Sequence, residues 1–301
     1  MRSIFERPQL TSLFGNDVLD RLERLRINPQ RRLTSRSQGE HLAGKGGSST
    51  EFSDYRDYVP GDDVRFVDWN IFARLNRPYL KLFHMEEEMH VLLLIDASAS
   101  MGFEGKLERA KQLAAAFGLM GLTGGERVSA YAFNARQGAP ARFTPTSGRA
   151  NLANMFRFIE RVESGWDAPV EQGIETCLKY HLGRGVAVVL SDFLTFGDVG
   201  RALNLLFSAG METFGVQVLA PAEINPDLAG DVRLVDCETD QTLDVSSAND
   251  LLGLYQEYRE HLERRLADLC RQRGGRFMAV SSESALDWVL FDQLRRKGWV
   301  Q

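Results

Sequence analysis

Asp96-Ala97-Ser98-Ala99-Ser100 places a carboxylate and two hydroxyls on alternate positions, immediately after the apolar run Leu92-Leu93-Leu94-Ile95. Three kinds of chemistry use such a set. A carboxylate can attack as a covalent nucleophile if a second carboxylate moves the protons. Carboxylate and hydroxyls together are hard oxygen donors of the kind that Mg²⁺ or Mn²⁺ takes in octahedral geometry, with some waters retained. Or the oxygens cap the next helix, which is worth about 1 kcal/mol. Asp192 closes a second apolar run, Val186-Ala187-Val188-Val189-Leu190-Ser191, and repeats the arrangement. On the residues alone, metal binding and capping both stay open.

Both runs are uniformly apolar rather than alternating, as strands buried on both faces are. Strands are expected at 91–96, 128–133, 141–145 (a short edge strand), 186–192, 214–220 and 276–280. Helical spacing of apolar residues predicts helices over 16–33, 106–121, 151–163, 169–181, 247–273 and 284–296, and a further helix after the 186–192 strand that runs to about 208. Val-Arg-Leu-Val-Asp and Thr-Leu-Asp-Val, residues 232–236 and 242–245, read as a hairpin. Strands alternating with helices imply an α/β fold: a doubly wound, mostly parallel sheet with helices on both faces. In such sheets ligands bind beyond the carboxyl ends of the strands, where the strand order reverses, and Asp96 and Asp192 are at ends of that kind. The expected organisation is an N-terminal helix and polar loop at 1–50, a partly β extension at 51–90 packed on the core, and the α/β domain at 91–301.

Other motifs lack the context their chemistry needs. Gly39 to Gly46 nearly matches the phosphate-binding loop G-x-x-x-x-G-K-[ST], but it ends in glycine and follows a polar stretch rather than a strand. His84, Glu86, Glu88 and His90 would share one face of a strand, yet they lack the H-E-x-x-H spacing of a zinc helix, and a solvated edge is the reading adopted. Phosphatases that use a strand-end aspartate carry D-x-D, whereas Ser98 stands at the second position here, and the second strand end offers no lysine. No G-x-S-x-G elbow occurs.

The chain has 301 residues, 44% of them hydrophobic, enough for a sizeable core. A net charge of -5 argues against a nucleic-acid partner. Arginines at 21, 24, 26, 31, 32 and 36 form a local basic run that reads as a solvated helix face and loop. Cys177, Cys237 and Cys270 are widely spaced, as free thiols in a reducing compartment are. No apolar run approaches the ~20 residues of a membrane span. A cytoplasmic protein without direct membrane insertion is expected.

The D-x-S-x-S stretch resembles the metal-ion-dependent adhesion site of von Willebrand factor A domains. That resemblance implies direct metal contacts from Ser98 and Ser100, with Asp96 and Asp192 assisting directly or through water. It also implies a threonine from a third loop. The nearest match is Gly148-Arg149-Ala150-Asn151, with Ala150 in the threonine's place, which leaves Thr146 and Ser147 as substitute donors. Upstream, Arg56-Asp57-Tyr58, Pro60-Gly61-Asp62-Asp63, Arg65, Asp68-Trp69 and Ala73-Arg74 resemble the signature of the bacterial domain of unknown function 58 family. The likeness runs from about residue 44 to the end. It implies a von Willebrand factor A-like fold and association with a MoxR-type AAA+ ATPase.

The expected function is therefore a non-enzymatic interaction module, an adaptor for such an ATPase in assembly or maturation of a client protein, with Mg²⁺ or Mn²⁺ completed by a partner carboxylate. The alternatives are a Mg²⁺-dependent hydrolase using Asp96 and Asp192, and a degenerate module that binds without metal. For the last, Arg56, Asp57, Asp62, Asp63, Arg65, Asp68, Trp69 and Arg74 are the candidate docking residues. The same residues also suit an ion-pair network that pins their segment to the sheet.

Overall fold

The structure is a computed structural model that describes residues 9–30, 34–35, 52–83, 85–86, 88–136, 140–166, 168–195, 197–226, 232–235, 242–245 and 248–301. A six-stranded sheet forms the main unit. Its strands are β1 (His90–Asp96), β2 (Arg127–Phe133), β3 (Ala141–Thr146), β4 (Gly185–Ser191), β5 (Met211–Leu219) and β6 (Arg276–Ser281). They lie in the order β6-β5-β4-β1-β2-β3. All pairs are parallel except β2 with β3. The order reverses between β1 and β4, which is the switch point of a doubly wound sheet.

Alternation along β1 sends side chains to two cores. Val91, Leu93 and Ile95 face one, built with α1 (Asn16–Leu22), α2 (Lys106–Gly124) and α3 (Leu152–Glu160). Leu92 and Leu94 face the other, which includes residues of α4 (Val170–Leu178), α5 (Val199–Ser208) and α6 (Ala248–Gln272). Close packing on the first face needs small residues. A Cβ on Gly118 would meet Met155 Sδ at 2.3 Å, and one on Gly121 would meet Val128 Cγ2 at 2.7 Å. The expected hairpin forms between Val232–Val235 and Thr242–Val245.

Two expectations need correction. The first helix ends at Leu22 rather than 33. Beyond it Leu25 and Ile27 turn into the core, Ile27 bridges Val300, and Arg26 exchanges backbone hydrogen bonds with Gln301, so tertiary pairing wins over the helical pattern. The boundaries also differ: Met1–Arg31 joins Met89–Gln301 in one compact unit, and Arg32–Glu88 forms a second. The cause is the apolar face of α1, since Val18, Leu19 and Leu22 are buried in the main core.

In the second unit, strands Phe52–Asp57 and Tyr79–Phe83 pair antiparallel, with helix Trp69–Leu75 between them in sequence. Thr34–Ser35 pairs with Met85–Glu86. The near-match at 39–46, together with His84 and Cys237, lies outside the described residues.

Candidate functional site at the strand switch

β1 delivers Asp96 and β4 delivers Ser191 and Asp192 side by side, because Ile95 pairs with Leu190. Asp96 is buried, and each of its oxygens is engaged. Oδ1 accepts from Ser98 N at 3.0 Å and from Asn134 Nδ2 at 3.3 Å, while Oδ2 accepts from Ser191 Oγ at 2.7 Å. Ser191 Oγ in turn accepts from Phe193 N. The Ser98 and Ser100 hydroxyls are 3.2 Å apart. Ser100 Oγ donates to Asp192 Oδ2 at 2.7 Å, and Leu194 N donates to Asp192 Oδ1 at 3.0 Å. The four residues Asp96, Ser98, Ser100 and Asp192 are thus neighbours in one hydrogen-bonded chain.

A fifth residue completes it. Lys106, the first residue of α2, is fully buried, and its Nζ lies 2.8 Å from Asp192 Oδ2 and 2.5 Å from Glu223 Oε1. Glu223 Oε2 accepts from Ala220 N at 2.7 Å, which fixes the turn after β5. Burial pulls the Lys106 ammonium toward neutrality, but the Asp192 and Glu223 carboxylates outweigh this and hold its pKa above the usual lysine value. Asp96 has no ion-pair partner among the described residues. Burial, followed by the Asp192 charge, pushes its carboxyl up to about 6 against the opposing hydrogen bonds from Ser191 and Ser98.

Lys106 and Glu223 were missed by sequence reasoning. One signal existed: a lysine opening a helix faces the positive end of the helix dipole, which costs roughly 0.3–1 kcal/mol, so something else must hold it there. Among the described residues, three of the four non-glycine residues with left-handed φ also border the cluster: Glu104, Asn134 and Phe193, at 40, 61 and 54°. Such backbone is held by its surroundings and gathers at functional sites.

The third-loop expectation is overturned. β3 runs antiparallel to β2, so Thr146 pairs with Val128, at the opposite end of β2 from Phe133, the partner of Asp96. Five residues of strand separate them, about 16 Å. Arg149, next to Ala150, bonds Glu23 just beyond α1. Thr146, Ser147 and Ala150 therefore do not reach Asp96. The residues beside it are instead Gly165, Trp166 and Ala168: Gly165 N donates to Ala97 O, Trp166 N to Asn134 O, and Asn134 Nδ2 to Ala168 O. Residue 167 lies outside the described residues.

These residues do not fit a divalent metal centre. An ammonium is fixed on Asp192 Oδ2, the oxygen that also accepts from Ser100, and the expected third-loop hydroxyls are at the far end of the sheet. Among the described residues no group of three or more His, Cys, Asp or Glu is arranged to hold a metal ion. What remains outward is a rim. Phe103 and Trp166 are 48% and 64% exposed. Their loops touch, since a Cβ on Gly102 would lie 3.1 Å from Ser164 Oγ.

In the second unit most of the candidate docking residues are committed internally. Arg56 makes a two-pronged pair with Asp62 at 2.9 and 2.6 Å, and Asp63 pairs with Arg65 at 2.6 Å. Asp68 caps helix Trp69–Leu75 through Asn70 N and Ile71 N, and accepts from Tyr55 and Lys81. These bonds, Lys81 first, hold its pKa down at about 2. Asp57, Trp69 and Arg74 are exposed.

The family described as "Protein of unknown function DUF58" matches residues 54–265. An uncharacterized protein of Mycobacterium tuberculosis is 29% identical over 289 residues, covering 92% of this chain and 89% of the relative. Among solved structures, a conserved hypothetical protein BatB from Bacteroides thetaiotaomicron has a TM-score of 0.41 at 13% identity, covering 70% of this chain and 98% of that one. An aerotolerance-related membrane protein from Bacteroides fragilis has a TM-score of 0.42 at 14% identity, covering 69% and 99%. No helix among the described residues is long and apolar enough to cross a membrane.

Proposed function

The chain belongs to the DUF58 family, and from that premise we propose that it is a non-enzymatic docking module whose strand-switch loops bind a MoxR-type AAA+ ATPase in the cytoplasm, linking it to a client protein. The observation that carries this reading is that two exposed aromatics, Phe103 and Trp166, stand on the loops around a polar cluster that the chain itself satisfies. Aromatic anchors on a rigid base are what interface hot spots are made of. A catalytic site would need the opposite, a reactive group left open to substrate.

Hydrolysis has one feature in its favour, because a carboxyl held at about 6 suits general acid-base work. Yet Asp96 is only 2% exposed, behind Ser98, Ser191 and Asn134. Asp192, which would have to serve as its partner, is held by Lys106 at 2.8 Å.

The test is co-expression with a tagged MoxR-type ATPase from the same genome. Co-purification is expected, and it should fall at least tenfold for Phe103→Ala combined with Trp166→Ala while the melting temperature hardly moves. Equal recovery of the double variant sinks the reading.

A further inference from the structure

A lysine at position 106 is doubly unfavourable. It stands at the positive end of α2, and its ammonium is out of water. The fold keeps it on Asp192 Oδ2, the same oxygen that accepts from Ser100 Oγ. The carboxylate and hydroxyl that the adhesion-site resemblance would assign to a divalent ion are therefore already served by a cation of the chain. That cation also reaches Glu223, whose backbone oxygen accepts from Tyr255 of α6 at 2.7 Å.

We propose that Lys106 is the resident cation of the strand-switch site, its ammonium replacing a divalent metal and tying the loops after β1, β4 and β5 together, so that the docking surface forms without metal. The inference concerns the isolated chain and does not depend on the identity of the partner. Lys106 acts as a positioning residue, through Ser100, Asp192 and Glu223.

Replacing Lys106 by alanine opens a space lined by two carboxylates and a hydroxyl, a donor set that hard cations take. Replacing it by methionine fills the space and leaves no room for an ion. The experiment is calorimetric titration of Mn²⁺ into metal-stripped wild type, Lys106→Ala and Lys106→Met, with melting curves in EDTA and in Mn²⁺. Wild type should bind no Mn²⁺ up to the millimolar range and melt at the same temperature in both buffers. Both variants should melt lower in EDTA. Only Lys106→Ala should gain sub-millimolar Mn²⁺ binding and recover several degrees with it. If Lys106→Ala does not fold in EDTA, refolding with Mn²⁺ replaces the titration, and recovery only with the ion counts the same way. Stoichiometric Mn²⁺ binding by wild type that Ser98→Ala removes would overturn the proposal. So would a Lys106→Ala variant that stays indifferent to Mn²⁺. The docking reading survives either failure, because its test does not involve metal.

Discussion

Asp96→Asn is expected to make the protein more stable at neutral pH. The Asp96 carboxyl lies at about 6 against an ordinary 3.8, because burial, followed by the Asp192 charge, penalises its ionised form. About two pH units correspond to roughly 3 kcal/mol. Below 3.8 the group is protonated in both folded and unfolded chains, and there is no penalty. Between 3.8 and 6 the folded chain keeps a proton that the unfolded chain has lost, so stability falls as pH rises through that window. Above 6 the full penalty applies. Asparagine keeps the shape, and its carbonyl oxygen can still accept from Ser98 N, but its amide must face Ser191 Oγ, whose hydroxyl then has to turn. Allowing about 1 kcal/mol for that rearranged bond, the net gain is about 2 kcal/mol at pH 7.5, shrinking toward zero or below by pH 4. Urea unfolding of both proteins across pH 4 to 7.5 reads it. A variant less stable than wild type at pH 7.5, or a difference that does not change with pH, would refute the reasoning.

His181 should act in the opposite sense. Burial, then the neighbouring His90, lower it from 6.5 to about 4, so its contribution is complete above 6.5 and is lost as pH falls toward 4, roughly 3 kcal/mol in all. In wild type the two groups offset one another between pH 4 and 6, whereas in Asp96→Asn the acid loss should stand alone, and a ring-proton titration should find His181 neutral down to about 4. Gly185→Ala should destabilise by at least about 2 kcal/mol in urea, because φ is 155° and the new Cβ would lie 2.0 Å from His90 O on the paired strand. Arg56→Glu should leave Asp62 unpaired and speed amide exchange along Phe52–Asp57, whereas Arg74→Glu, on an exposed last turn, should leave exchange unchanged. If the second unit were the docking surface, Arg74→Glu would also weaken ATPase capture, and capture assays decide that.

Much of the fold could be read in the sequence because its signals are local. The unbroken apolar runs of β1 and β4 read as buried parallel strands, and the aspartates closing them mark the switch point. Asp96, Ser98, Ser100 and Asp192 came together because they flank those ends. Lys106 and Glu223 did not show, since their bonds to the cluster span 86 and 117 residues and exist only once β4 and β5 lie beside β1. The third loop was misplaced for a related reason. Gly148 to Asn151 matched a pattern of residue types, but the antiparallel direction of β3, invisible in composition, carries it to the far end of the sheet. The helix expected to run to 33 failed because apolar spacing alone cannot tell a continuing helix from a chain that turns its leucines into the same core.

The central claim is that the strand-switch face binds a MoxR-type ATPase. Its most direct test is calorimetric titration of a purified, nucleotide-free ATPase from the same genome into this chain. Saturable binding to wild type, weakened at least tenfold by Phe103→Ala with Trp166→Ala, is the result predicted. No binding by wild type, or equal binding by the double variant, would contradict it.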